Sequence, residues 1–318
     1  MERILIIGAN GQIGSELVTA LAEQHGQDNV IASDIGADNV YGAARYTRLD
    51  VLDRERLAGL IDSEGITQVY QLAALLSATG EKAPLKAWTL NMDGLLNILE
   101  VARERGEAGK PLKVFWPSSI AAFGPNTPAE STPQYTIMDP TTIYGISKLA
   151  GERLCEYYHS KYGVDVRSIR YPGIISFKSP PGGGTTDYAI AIFHAALKGE
   201  TYECFLGPET TLPMIYMPDA IRATIELMDA PGEKVAIRSS YNVAGVSFNP
   251  RELAAAIKKA LPEFEIAYQP DSRQQIADSW PKSLDDSRAQ GDWGWKARIG
   301  VEEMVASMLK NVDVGVSA

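Results

Sequence analysis

Tyr144 and Lys148 stand four residues apart in YGISK, a spacing that puts both side chains on one face of a helix. A free phenol is too weakly acidic to act as a base near neutrality. An ammonium beside it favours the phenolate, which can take a hydroxyl proton while hydride leaves the adjacent carbon. A nearby hydroxyl would orient the substrate oxygen and stabilise charge on it. Ser119, in SSIAAFG at 118–124, is the candidate, because it sits at the end of an apolar run that reads as a strand. Tyrosine and lysine at this spacing also describe an ordinary amphipathic helix surface. The pair gains meaning only beside a nucleotide site.

Such a site is encoded at the start of the chain. GANGQIG carries Gly8, Gly11 and Gly14, with Gln12 and Ile13 between the last two. Glycines there allow a sharp turn and let a pyrophosphate approach a helix N-terminus, where free N–H groups and the helix dipole favour negative charge. Asp34 closes the next strand pattern twenty residues after Gly14. A carboxylate there can accept both ribose hydroxyls of NAD and would repel the 2′-phosphate of NADP. Asp50 and Val51 follow the third strand pattern, and Leu72, Ala73 and Ala74 end the fourth. Parallel sheets place ligands at these strand ends.

The elements that must position these groups alternate. Strand patterns cover 3–8, 29–34, 45–50, 67–73, 112–119 and 166–171, with helical patterns at 15–24, 54–62, 85–104 and 143–161. That rhythm predicts an α/β protein with a Rossmann-type, doubly wound parallel sheet. After Tyr171 it loosens into helical stretches at 187–198, 218–228, 250–260 and 301–310, with short strands at 212–217 and 241–244. The reading is an NAD-binding domain over 1–175 and a smaller C-terminal α/β substrate lobe over 176–318, with the chain crossing between them.

Of the 318 residues, 40 are acidic and 30 basic, a net charge of −10 that disfavours nucleic acid and anionic membrane as partners. Cys155 and Cys204 form no C-x-x-C pair, so no disulfide framework or metal site is expected, and buried thiols in a reducing compartment are. The apolar run at 4–7 is too short for a signal peptide and no stretch is long enough to span a bilayer, which makes the cytoplasm the expected location.

Taken together, GANGQIG, Asp34, Asp50-Val51, LAA at 72–74, Asn91, SSIAAFG, YGISK and RYPG at 170–173 resemble the extended short-chain dehydrogenase/reductases over nearly the whole chain. The resemblance implies Ser119, Tyr144 and Lys148 as the catalytic set, with Lys148 also holding the nicotinamide ribose. It puts Tyr171, Pro172 and Ile174 beside the nicotinamide. Asn91 falls where the family has a supporting asparagine, although it also fits a helix cap or core amide. The family commonly dimerises by packing two helices per subunit into a four-helix bundle; here these are 85–104 and 143–161, with Leu95, Leu99, Leu149 and Leu154 facing either the partner or the sheet.

Four stretches outside the cofactor motifs, at 75–84, 182–189, 212–220 and 270–281, resemble the branch of that family that oxidises L-threonine at C3 with NAD. The implied product is 2-amino-3-oxobutyrate. The alternatives are a nucleotide-sugar 4-epimerase or dehydratase on the same scaffold, and an NAD-sensing regulator without chemistry. Nucleotide-sugar relatives often carry an Arg-Asp pair where Leu212 and Pro213 stand, which argues against a diphosphate substrate. A zwitterionic amino acid needs partners for a carboxylate and an ammonium. Ser77, Thr185 and Thr186 offer hydroxyls. Backbone amides of Gly182 to Gly184 offer an anion nest. Asp187 suits either the ammonium or the first turn of the following helix, and Trp280 either a cover or a core position. PPGGGTTDYA at 180–189 reads as a mobile substrate loop.

Overall fold

In a computed structural model of the chain, residues 2–39, 42, 43, 45–313 and 315 are described. The ILII run forms β1 (Ile4–Ile7), buried at every position, as a parallel strand covered on both faces must be. There follow α1 (Gln12–His25), β2 (Val30–Asp34), β3 (Tyr46–Arg48), α2 (Arg54–Ser63), β4 (Gln68–Gln71), α3 (Ser77–Lys82), α4 (Pro84–Trp88), α5 (Gly94–Glu107), β5 (Lys113–Ser119), α6 (Ile143–Tyr162) and β6 (Asp165–Tyr171). The remainder forms β7 (Gly173–Ile175), α7 (Tyr188–Lys198), β8 (Tyr202–Cys204), β9 (Leu212–Tyr216), α8 (Met217–Asp229), β10 (Tyr241–Asn242), β11 (Val246–Phe248), α9 (Pro250–Lys258), β12 (Ile266–Tyr268), α10 (Ser272–Asp278), α11 (Ser287–Trp293) and α12 (Val301–Asn311).

Seven parallel strands form the main sheet in the order β10-β6-β5-β4-β1-β2-β3. The order reverses at β1, with β2 on one side and β4 on the other, so a crevice opens beyond their carboxyl ends. Leu57 and Ile61 of α2, Ile98 of α5 and Cys155 of α6 cover one face of the sheet. Leu17 and Leu21 of α1 with Ala223 and Leu227 of α8 cover the other. A third core joins α7, α9 and α12 beside β8 and β9. Later in the chain, α8 packs beside α1 and β10 pairs with β6. Leu95 and Leu99 are fully buried in the sheet-facing core.

The long helix expected over 85–104 is broken: α4 and α5 are joined by one π-helical turn, Thr89–Asp93. Its extra residue carries Asn91 inward, where the amide bonds elsewhere in the fold; apolar periodicity cannot register that. α3, α10, α11 and the three-residue strands β7, β8, β11 and β12 were also not anticipated. Among the described residues no helix is long and apolar enough to cross a membrane.

Candidate active site

Ser119, Tyr144 and Lys148 converge where β5 ends against the first turns of α6. Thr142 caps that helix, its Oγ1 accepting from the Gly145 N–H at 3.1 Å. A Cβ at Gly145 would lie 2.1 Å from the Ala121 carbonyl oxygen, so glycine lets α6 press against the loop after Ser119. Tyr144 is half-buried and lines the cleft, with its hydroxyl bonded to Ser119. Burial pushes the phenol up to about 12, and the Ser119 bond pulls against that rise. Lys148 is also buried, and burial pulls its ammonium down to about 7. Its Nζ donates to the Pro117 carbonyl at 2.6 Å and lies 4.5 Å from the Trp116 ring centre and 5.4 Å from that of Tyr144. Burial dominates the phenol in this arrangement, so the lowered pKa expected from the neighbouring ammonium does not appear.

The turn after β1 is shaped for a close approach. Gly8 has φ +85°, and a Cβ there would sit 2.7 Å from the Ala73 backbone nitrogen. α1 begins at Gln12 with no side-chain cap and no acid in its first turn, so nothing in its own sequence opposes an anion at that terminus. Gly8, Gly11, Gln12, Ile13, Gly14, Leu72 and Ala74 line a cleft of about 260 Å³ that runs on to Ser119, Tyr144 and Lys148. A second hollow of about 220 Å³ shares Gly8, Gly11, Leu72 and Ala74, and adds Asp34, Asp50, Val51 and Ala73. Asp34 accepts from the Asn10 and Ile35 N–H groups, one on each carboxylate oxygen, which fixes it at the lip with lone pairs to spare. Asp50 accepts from the Leu52 N–H. This donor set fits a dinucleotide. A pyrophosphate would meet the α1 terminus, one ribose would meet Asp34, and a flat ring would reach toward Tyr144.

Tyr171, Pro172 and Ile174 line the far wall, with the Tyr171 hydroxyl turned away to Thr224. Asn91 stands behind the wall. Its Oδ1 accepts from Leu75 N at 2.8 Å, and its Nδ2 donates to Leu75 O at 3.1 Å and Ser147 Oγ at 3.2 Å. Its buried amide thus ties the loop after β4 to α6.

Ser77, Thr185, Thr186, Asp187 and Trp280 line the same cleft as Ser119 and Tyr144. Trp280 also packs into the core cluster that joins α7, α9 and α12. The glycine run departs from expectation. Asp187 stands at the start of α7 but makes no side-chain cap there. Its carboxylate turns back to accept the Gly184 N–H at 2.7 Å, close to the Gly182 and Gly183 amides. One amide of the run read as an anion nest is therefore committed to Asp187, which pins the loop. Burial raises its pKa against those bonds. Leu76 and Ile120 also line the cleft and are not candidate site residues in the sequence. They adjoin residues that are, and nothing in their own types marked them.

Residues 4–244 match the family model described as the NAD dependent epimerase/dehydratase family. The chain belongs to that family. Its similarity to individual members runs through both lobes. A solved structure named GalE-like L-threonine dehydrogenase from Cupriavidus necator, in its holo form, shares 61% identity at a TM-score of 0.95, covering 98% of this chain and 100% of that one. The mitochondrial L-threonine 3-dehydrogenase of Bos taurus is 46% identical over 311 residues, 97% of this chain and 82% of that protein. A structure named monomeric L-threonine 3-dehydrogenase, from a metagenome, shares 45% identity at a TM-score of 0.92, covering 97% of this chain and 98% of that one. Among known folds, a UDP-glucose 4-epimerase from Thermotoga maritima shares the architecture at 24% identity and a TM-score of 0.84. This epimerase/dehydratase-family chain therefore carries the family's α/β fold and its NAD site.

Proposed function

We propose that this chain oxidises L-threonine at C3 with NAD, giving 2-amino-3-oxobutyrate, NADH and a proton. The observation that carries the reading is the single cleft in which the nucleotide turn, the Ser119–Tyr144–Lys148 cluster and the hydroxyls of Ser77, Thr185 and Thr186 meet. Full-length similarity to proteins named L-threonine dehydrogenase supports it. Gly8, Gly11, Gln12, Ile13 and Gly14 hold the pyrophosphate; Asp34 holds the adenosine ribose, and Asp50, Val51, Leu72, Ala73 and Ala74 wall the adenine side. Lys148 holds the second ribose beside Tyr171, Pro172 and Ile174. Bound there, NAD supplies the hydride acceptor. Ser119 orients the C3 hydroxyl and shares its bond with the phenol. Tyr144 takes the hydroxyl proton as the C3 hydride departs, and Lys148 offsets the charge left on the phenolate. Ser77, Thr185 and Thr186 meet the amino-acid end, and Trp280 closes over it. Asp187 acts through the glycine loop that it pins, with one edge available to the ammonium.

Leu212 and Pro213 are both buried, with no cation at either position to meet a diphosphate, and this favours threonine over a nucleotide sugar. NADH absorbance with L-threonine, together with chromatography of each nucleotide sugar after incubation, tests the choice. L-Threonine is expected to drive reduction of NAD, with UDP-glucose, UDP-galactose and GDP-mannose inert. Conversion of a nucleotide sugar without threonine turnover would overturn the reading.

A homodimer is part of this proposal. Leu85 of α4 is 85% exposed, and Trp88, Ile146 and Tyr157 are also exposed on α4 and α6, an apolar surface of the kind that a two-helix-per-subunit bundle would cover. A cytoplasmic location is supported by Cys155 and Cys204, both free and buried.

A further inference from the structure

A buried pair of opposite charges stands directly behind the catalytic face of α6. Glu152, one turn beyond Lys148, is 0% exposed, and Arg170 on β6 is 2% exposed. Their contact is a fork. Arg170 Nε donates to Glu152 Oε1 at 2.8 Å and one terminal nitrogen donates to Oε2 at 2.7 Å. The other terminal nitrogen donates to Gln134 O at 2.9 Å and Asn242 Oδ1 at 3.0 Å. Arg170 is the register partner of Ser118 on β5, and Ser118 Oγ donates to Glu152 Oε1 at 2.7 Å. Three consecutive residues of β5 are thus tied to three successive turns of α6. Pro117 receives Lys148, Ser118 reaches Glu152, and Ser119 meets Tyr144. Burying two ions costs desolvation that an apolar pair of the same volume would avoid, so packing alone does not account for this arrangement.

We propose that Glu152, held by Arg170, is a positioning residue that fixes the end of β5 against α6 and sets a negative charge behind Lys148, so that an ammonium faces Tyr144. The inference rests on the roles given above to Tyr144 and Lys148. Around Lys148, α6 contributes Tyr144, Glu152 and Cys155, and β5 contributes the Trp116 ring and the Pro117 carbonyl. Arg170 of β6 lies beyond Glu152. Burial holds the Cys155 thiol and the phenol neutral, which leaves Glu152 as the anion on this side, opposing the desolvation of the ammonium. Removing its charge leaves the Arg170 cation uncompensated in the same interior.

The test compares Glu152→Gln with Glu152→Asp. Each disturbs the fork, and only the first removes the charge. The readout is the ¹³Cε resonance of Lys148 in lysine-labelled protein, assigned by its loss in Lys148→Met and followed against pH. We expect its midpoint to fall by about one pH unit in Glu152→Gln and to stay near the unmodified value in Glu152→Asp. Coincident midpoints in the two variants would overturn the proposal. A shifted midpoint with an unmoved pH profile of threonine turnover would instead count against the role of Lys148 in the reaction, and would leave the placement of Glu152 standing. If Glu152→Gln does not fold, Ser118→Ala keeps the ion pair and cuts only its link to β5. It should lower kcat about tenfold with NAD affinity within about twofold. Unchanged kcat in Ser118→Ala would overturn the positioning role.

Discussion

Three side chains carry the proposed chemistry, and Tyr144 and Ser119 have separable signatures. Tyr144→Phe removes the base and keeps the ring. Turnover with threonine should fall by about 10²–10⁴-fold, while NAD affinity, measured by calorimetry, changes little. Activity near that of the unmodified chain would remove Tyr144 from the mechanism. The Ser119 bond is what counters the burial of the phenol, so Ser119→Ala should slow turnover by about 10²–10³-fold. The pH profile follows from the phenol as well. Burial holds it at about 12, above its ordinary value, so the base form is a minority near neutrality and grows with each step upward. Thus kcat should climb between neutral and alkaline pH until another group fails. A flat profile over that interval would contradict proton removal by Tyr144.

Elements set these side chains to sub-ångström tolerance, and two of them can be displaced by a small change. Gly145→Ala would drive a methyl into the Ala121 carbonyl and push α6 away from β5. A displacement near 1 Å is worth about 10²-fold in rate, so kcat should drop on that order with little change in NAD affinity. Asp187→Ala would release the Gly184 amide that holds the glycine loop. The KM for threonine should rise about tenfold, the effect of losing a charge-assisted hydrogen bond, while the Kd for NAD stays within about twofold. An equal loss of both would make the loop merely structural. Much of this scaffold was legible in the sequence. β1 and most of β2 are apolar runs because both faces of the sheet are covered, whereas β4, β5 and β6 mix apolar with polar residues, and α6 announced itself through the Tyr/Lys spacing. What stayed hidden depends on partners distant in the chain. β7 and β8 have three residues each and exist only because β9 and β12 lie beside them. The π turn at Thr89–Asp93 makes sense only once Asn91 is seen to hold Leu75. Asp187 could have capped α7 or met a substrate, and only the backbone path of the glycine run shows that it pins the loop.

At the scale of the whole molecule, the net charge of −10 and the cleft that joins the nucleotide turn to Ser119, Tyr144 and Lys148 suit an enzyme that takes a small zwitterion beside a dinucleotide. The exposed Leu85, Trp88, Ile146 and Tyr157 lie on helices that pack close to the catalytic face. Light scattering on an eluting peak should give twice the 34.5 kDa chain mass, and Ile146→Asp should shift it toward one. A monomer in the unmodified protein would show that these side chains serve another purpose, as the name of the monomeric relative allows. The central claim is that hydride leaves C3 of L-threonine for NAD. It is tested most directly by supplying L-threonine deuterated at C3 and weighing the reduced cofactor by mass spectrometry. The account predicts that the reduced cofactor gains one deuterium. Reduced cofactor without the label, or no reduction at all, would contradict it.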